Sequence, residues 1–109
     1  MQIGSDGENE AVKYLEEKGY EIVERNHRYR HAEIDIIAKK KNWLVFVEVK
    51  TRSGDAFGFP EDFVDRRKEE LILSAAEEYM YKINWEGNVR YDIIAILRKE
   101  ITHFEDAFY

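Results

Sequence analysis

The spacing of apolar residues along the chain predicts a short helix followed by three strands. Between residues 7 and 18 apolar positions recur at helical spacing, and Gly19 follows as a stop signal. Residues 20–26, 32–38 and 44–51 have the β-branched composition typical of strands, and the polar turn KKKN joins the last two as a hairpin. The apolar residues of the helix are Ala11, Val12, Tyr14 and Leu15.

The second half of the chain predicts a long helix and two more strands. Pro60 and the two acidic residues after it are typical of a helix start, and this helix should end near Lys82. Residues 89–97 and 101–104 read as strands. The predicted buried face of the helix comprises Phe63, Val64, Leu71, Ile72, Ala75, Ala76 and Tyr79. The order αβββαββ predicts an α/β fold with a single mixed sheet of about five strands flanked by helices.

Length and composition favour a single domain over residues 1–109, because two domains would each be too small for a stable core. The chain has no run of about 18 apolar residues and no basic-then-apolar leader, so we expect neither a membrane span nor a signal peptide. Zero cysteines exclude disulfides and thiolate metal sites, and fit a cytoplasmic location.

The charge pattern gives two opposing indications about nucleic acid. A net charge of −6 argues mildly against such a partner, although binding depends on local patches and not on the total. Taken alone, the basic clusters are more typical of ordinary solvated charges. These clusters are Arg25, His27, Arg28, Arg30 and His31; Lys39, Lys40 and Lys41; and Arg66, Arg67 and Lys68.

Two carboxylates and a lysine fall on the neighbouring strands of the predicted hairpin. Because side chains alternate between the faces of a strand, the hairpin can bring Asp35 beside Glu48, with Lys50 one pleat further along. The alternation assigns Glu33 and Asp35 to one face of their strand, and Ile34 and Ile36 to the other. On the next strand it separates Phe46, Glu48 and Lys50 from Val45, Val47 and Val49.

Converging carboxylates in an apolar sheet repel each other and lose hydration, and a divalent cation would offset both costs. Without cysteine, a metal would be held by oxygen or imidazole ligands, which favours Mg²⁺ or Mn²⁺ over structural zinc. Such an ion can activate water against a phosphodiester while Lys50 stabilises the developing charge. The alternative is a half-exposed hairpin in which Glu33 or Asp35 pairs with Lys50 across the strands. The E-x-K tripeptide alone favours that alternative, and Asp35 in matching register leaves the two interpretations balanced.

These residues resemble the signature of the PD-(D/E)xK nuclease superfamily, an Asp on one strand and E-x-K on the next. More narrowly, nearly the whole chain is similar to the YraN-type family, which resembles archaeal Holliday junction resolvases. The matching motifs, in order, are GSDGENEAVKYLEEKGYEIVERN, EIDIIA, VFVEVKTRS, FGFP, RYD and a closing H-x-x-x-A-F. One departure is Ala32, where the family usually has Gly; Ala would strain the strand entry if that position required a positive φ.

The resemblance implies a restriction endonuclease-like fold and a role for each matching residue. Asp35, Glu48 and Glu8 would hold the metal, and Lys50 would complete the catalytic set by positioning the water or stabilising the transition state. Taken by itself, Glu8 is also an ordinary acidic residue of a helix's first turn. The nucleic-acid contacts that we assign are Arg28, Arg30, Arg52 and Lys68.

Three functional hypotheses follow from these observations. The first is a Mg²⁺- or Mn²⁺-dependent endonuclease acting on DNA, with branched forms such as Holliday junctions as candidate substrates in repair or recombination. Symmetric cutting of two strands would favour a homodimer. The second is a catalytically silent nucleic-acid-binding module within a larger DNA-processing assembly, which the negative net charge favours. The third, a protein-interaction domain, would show no salt-dependent DNA binding.

Overall fold

The computed structural model describes residues 6–52 and 66–107. Its helices are α1 (Asp6–Glu17) and α2 (Arg66–Ile83), and its strands are β1 (Glu21–Tyr29), β2 (Ala32–Lys40), β3 (Trp43–Arg52), β4 (Asn88–Leu97) and β5 (Glu100–Phe104). The predicted order of elements is confirmed in this part of the chain. The predicted helix start at Pro60, and the predicted burial of Phe63 and Val64, lie outside the described residues.

The five strands form one mixed sheet, in the order β1-β2-β3-β4-β5. Neighbouring strands are antiparallel except β3 and β4, which run parallel. A parallel pair requires a long crossover connection, and α2 lies in it. The predicted hairpin of β2 and β3 is confirmed, with Lys40 paired to Trp43 across a turn at Lys41 and Asn42. The prediction of an α/β fold with a mixed sheet of five strands is therefore correct.

Each helix covers one face of this sheet. The amphipathic face of α1 buries Ala11 and Leu15 against the sheet, as predicted. The opposite face carries α2, whose predicted face residues Ile72, Ala75, Ala76 and Tyr79 are buried and whose Leu71 is partly buried. Within residues 6–52 and 66–107, no helix combines the length and apolar character that crossing a membrane requires.

Gly19 ends α1 as the sequence predicts. Its φ of 95° lies in the left-handed region, which glycine enters without steric cost. The amide of Tyr20 then donates to the Leu15 carbonyl at 2.9 Å, and the Gly19 amide to that of Glu16 at 3.0 Å. This Schellman arrangement satisfies carbonyls at the end of the helix and directs the chain into β1.

Strand β2 departs from simple alternation at Asp35. Ile34 belongs to the apolar cluster beneath α2, whereas Ile36 belongs to the cluster beneath α1, so the prediction that they share a face is wrong. The register of β1 and β2 sets Asn26 opposite Asp35, and Asn26 has a φ of 54°. This irregularity in the neighbouring strand accompanies the change of face. On β3 the predicted alternation holds, because Val45 and Phe46 pack on opposite faces.

The substitution of Ala32 for the usual glycine causes no backbone strain. Ala32 is not among the residues with positive φ, and its small side chain is buried in the cluster beneath α2. The left-handed conformation in this region belongs instead to Arg30, with a φ of 58°, in the turn before β2.

Candidate active site

Strands β2 and β3 stop pairing at the point where the two predicted acids lie. Their ladder runs from Lys40 and Trp43 to Ile36 and Val47, and the next pair in this register would be Asp35 and Glu48. There the Val49 amide donates a hydrogen bond to Asp35 Oδ2 at 2.8 Å. A carboxylate oxygen thus binds a main-chain N–H of β3 where the ladder ends, which fixes Asp35 between the strands.

A cavity of about 170 Å³ opens at this point, between the end of the sheet and α2. Asp35 and Glu48 both line it, as does Lys68 from the first turns of α2. The remaining lining residues are His31, Ala32, Glu33, Leu71 and Ile72. The structure therefore brings the two carboxylates predicted from the hairpin to one cavity.

Two ammonium groups contact the same oxygen of Glu48. Lys50 Nζ lies 3.0 Å from Glu48 Oε2, and Lys68 Nζ lies 2.7 Å from it. Glu48 is only 5% exposed, so its charge depends on these partners. The sequence predicts Lys50 in the catalytic set, but it suggests Lys68 only as a nucleic-acid contact. The proximity of Lys68 to Glu48 arises from the packing of α2 on this face of the sheet, mainly over β2.

The environment of Asp35 opposes its ionisation. Burial, followed by the negative charge of Glu48, raises the pKa of this carboxyl from 3.8 to about 7. The hydrogen bond from the Val49 amide acts in the other direction, while Glu8 and Glu33 add smaller upward effects. Near neutral pH Asp35 is therefore partly protonated, and a cation bound beside it would favour release of that proton.

The two lysines differ in how firmly they hold their charge. Burial lowers the pKa of Lys50, and the neighbouring ammonium of Lys68 lowers it further against the attraction of Glu48. Burial also acts to lower the pKa of Lys68, but its contacts with Glu48 outweigh that effect and the pKa is raised. Lys68 therefore keeps its proton, and its positive charge, more strongly than Lys50 does.

Glu8 approaches the site from α1. Its Oε1 accepts hydrogen bonds from Arg25 Nε at 2.9 Å and Asn26 Nδ2 at 3.1 Å, both on β1. Its charge contributes to the raised pKa of Asp35, so the two carboxylates are electrostatic neighbours. Gly7 allows this approach, because a Cβ there would collide with Thr51 Oγ1 on β3. A metal-ligand role for Glu8 stays a prediction.

The other predicted nucleic-acid contacts lie at the same end of the sheet. Arg28 and Arg30 belong to the end of β1 and its turn into β2, and Arg52 to the end of β3. The Arg28 side chain is 76% exposed, with Nη2 3.5 Å from Glu33 Oε2. Because β2 begins and β3 ends here, these arginines lie at the end of the sheet that carries the cavity. Their role toward nucleic acid stays a prediction.

The donor set at the cavity fits a hard divalent cation. Within the described ranges, no group of three or more His, Cys, Asp or Glu side chains is placed to hold a metal ion. Mg²⁺, however, commonly binds through one or two carboxylates and fills its other positions with water and phosphate oxygens. The mutual repulsion that raises the pKa of Asp35 beside Glu48 is what such a cation would offset.

A second charged network, on the α1 side of β4, has a structural role. Asp92 is fully buried and accepts hydrogen bonds from Arg90 Nε at 2.9 Å, His103 Nε2 at 2.7 Å and the Asp106 amide at 3.0 Å. Burial alone would raise the pKa of Asp92, but these donors outweigh it and the pKa is lowered. Arg90 Nη2 also donates to the Tyr20 hydroxyl at 2.5 Å. The network ties β4 to β5 and to the start of β1.

Comparisons with known proteins identify the family. The family model described as "Uncharacterised protein family UPF0102" matches residues 7–96. A UPF0102 protein of Flavobacterium psychrophilum is 50% identical over 111 residues, covering 98% of this chain and 93% of that protein. One of Thermodesulfovibrio yellowstonii is 44% identical over 109 residues, covering 100% of this chain and 97% of that protein. One of Persephonella marina is 42% identical over 106 residues, with coverages of 96% and 91%. The chain therefore belongs to the UPF0102 (YraN-type) family.

Proposed function

We propose that this protein is a Mg²⁺- or Mn²⁺-dependent endonuclease that hydrolyses phosphodiester bonds in DNA. The observation that carries the proposal is the convergence of Asp35 and Glu48 on one cavity, with Lys50 3.0 Å from Glu48. Paired carboxylates can hold a divalent cation that activates water and polarises a phosphoryl oxygen, and an adjacent amine can stabilise the negative charge that develops.

Each side chain of the cavity has a distinct part in this reaction. Asp35 and Glu48 would hold the cation, which polarises the phosphoryl oxygen and lowers the pKa of a water ligand. Lys50, whose own pKa is lowered by burial, would orient the attacking water and accept a hydrogen bond from it when neutral. Lys68, whose raised pKa keeps it positively charged, would stabilise the negative charge that develops on the phosphate in the transition state.

The substrate class follows from the family resemblance and from the surface near the cavity. Resemblance to Holliday junction resolvases favours branched or otherwise structured DNA, and hence a role in repair or recombination. Exposed arginines at the cavity end, including Arg28 and Arg52, would contact the phosphate backbone on either side of the scissile bond. Symmetric cutting of a junction favours a homodimer as the active form, and the absence of cysteine fits a cytoplasmic location.

The direct test is cleavage of labelled DNA by purified protein. We expect cuts in junction, flap or duplex substrates with Mg²⁺ or Mn²⁺, and none after chelation. Asp35→Asn and Glu48→Gln should each reduce cleavage by at least about 100-fold, since each removes a metal ligand. Glu86→Gln, an exposed residue beyond the end of α2, is the matched control and should cut normally. A wild type that cuts nothing, or an Asp35→Asn variant that cuts as well, contradicts the proposal.

A second candidate is a catalytically silent DNA-binding module of a larger assembly. The observation that favours it is the ion pairing of Glu48, whose charge already has two ammonium partners within the protein. Calorimetry separates the two functions. A pure binder should have a DNA affinity that is insensitive to Mg²⁺ and to Glu48→Gln, whereas both should change the affinity of the nuclease.

A further inference from the structure

We propose that Lys68 is a displaceable internal cation, which occupies the Glu48 carboxylate in the absence of metal and leaves it when a divalent ion binds. This inference rests on the proposed metal site, and it gives Lys68 a role as a competitor of the metal for Glu48 in addition to the proposed phosphate contact. Its effect would be to weaken the affinity of the resting protein for metal.

The Glu48 carboxylate already has an ammonium group in close contact. Lys68 Nζ lies 2.7 Å from Glu48 Oε2, closer than Lys50 Nζ at 3.0 Å. A divalent ion bound to that carboxylate would sit about 2.0–2.1 Å from its oxygen. An ammonium group on the same oxygen would then be a close neighbour of the ion, and like charges at that separation repel strongly.

The charge balance of the cavity also opposes metal binding while both ammonium groups remain in place. Asp35 and Glu48 together carry at most two negative charges, and Lys50 and Lys68 supply up to two positive ones. The nearby Glu33 and Glu8 have arginine partners of their own, Arg28 and Arg25. A divalent ion added to this set leaves the cavity with excess positive charge. Departure of one ammonium group removes part of that excess, so metal binding and one of the two contacts oppose each other.

Of the two lysines, Lys68 is the one better placed to leave Glu48. The Lys50 side chain is 17% exposed and belongs to β3, the strand that also carries Glu48. The Lys68 side chain is 42% exposed and reaches Glu48 from α2, on a flexible stem that can turn into solvent. Lys68 can therefore move into solvent without disturbing the sheet, whereas the more buried Lys50 has less room to move away from Glu48.

Mn²⁺ binding without DNA tests this inference separately from cleavage. The electron paramagnetic resonance signal of free Mn²⁺ measures its affinity for wild type and for Lys68→Met, which keeps the length of the side chain but removes its charge. We expect Lys68→Met to bind Mn²⁺ at least about tenfold more tightly, within the usual range of coupling between two ligands. Lys82→Met, the same change at an exposed position near the end of α2, should bind as wild type does.

The remaining outcomes are equally decisive. Lys68→Arg retains the charge and should bind Mn²⁺ no more tightly than wild type, a test that stands even if Lys68→Met fails to fold. Tighter binding by Lys68→Arg, or equal binding by wild type and Lys68→Met, overturns the inference but leaves the nuclease proposal intact. If Lys82→Met gains as much affinity for Mn²⁺ as Lys68→Met does, the inference is also overturned. Absence of Mn²⁺ binding in every protein overturns the metal site as well.

Discussion

At the scale of single residues, Asp35 and Asp92 show how surroundings give one side chain opposite properties. Asp35 has a carboxylate neighbour and a raised pKa, while Asp92 has Arg90 and His103 as partners and a lowered one. Both lie in strands of the same sheet. The first arrangement costs stability at neutral pH, which is typical of a functional position, and the second contributes to it.

The first prediction is that Asp35→Asn stabilises the protein at pH 8 in the presence of chelator. The folded pKa of about 7 exceeds the ordinary 3.8, so the folded state keeps a proton that the unfolded state releases. The free energy of unfolding of wild type should therefore fall as pH rises from about 4 to about 7. Asn carries no charge, and we expect a gain of about 1–3 kcal/mol at pH 8 that disappears at pH 4. Urea unfolding at the two pH values measures it.

Asp92→Asn is the matched substitution, with the opposite sign. The lowered pKa of Asp92 stabilises the folded protein above about pH 4, and this contribution is lost as pH falls toward the folded pKa. Asn at this position leaves Arg90 without its buried counterion, and should cost about 3 kcal/mol at pH 8. If Asp35→Asn and Asp92→Asn changed the free energy of unfolding with the same sign and the same pH dependence, the opposite pKa shifts assigned to the two carboxyls would be contradicted.

At the scale of elements, the sequence predicts local structure well and non-local contacts poorly. Apolar spacing identifies both helices and all five strands, and the hairpin register places Asp35 opposite Glu48. Strict alternation assumes a regular strand, so the sequence pattern does not predict that Ile34 and Ile36 lie on opposite faces of the sheet. The contact between Lys68 and Glu48 depends on how α2 packs on the sheet, and no periodicity in the chain encodes that packing.

The irregularity beside Asp35 yields the second prediction, at Asn26. Its φ of 54° lies in the left-handed region, which Asn and Gly tolerate and β-branched residues avoid. We expect Asn26→Val to destabilise the protein by about 1–3 kcal/mol more than Asn26→Gly. Both variants lose the hydrogen bond from Asn26 Nδ2 to Glu8, so the loss of that bond does not contribute to their difference. Urea unfolding measures that difference, and a Val variant as stable as the Gly variant would refute the left-handed conformation.

At the scale of the whole molecule, the net charge of −6 conceals an uneven distribution. Arg28, Arg30 and Arg52 cluster at the sheet end that carries the cavity, whereas Lys41 lies in the turn at the opposite end of β2 and β3. A nucleic-acid partner would meet this local cluster and not the average charge. The matches to UPF0102 relatives cover nearly the whole chain, so both ends of the sheet lie within the family comparison.

The third prediction concerns the salt dependence of DNA binding, measured by fluorescence anisotropy in chelator between 50 and 200 mM salt. Each arginine that neutralises a phosphate contributes about 0.9 to the slope of log affinity against log salt concentration. Replacing Arg28, Arg30 and Arg52 together by Gln should therefore reduce the slope by about 2–3. Lys41→Gln removes a charge at the far end and should leave the slope unchanged. Equal slopes for the triple variant and wild type would place the DNA on another surface, and the cavity would then lack a path to the phosphodiester it is proposed to cut.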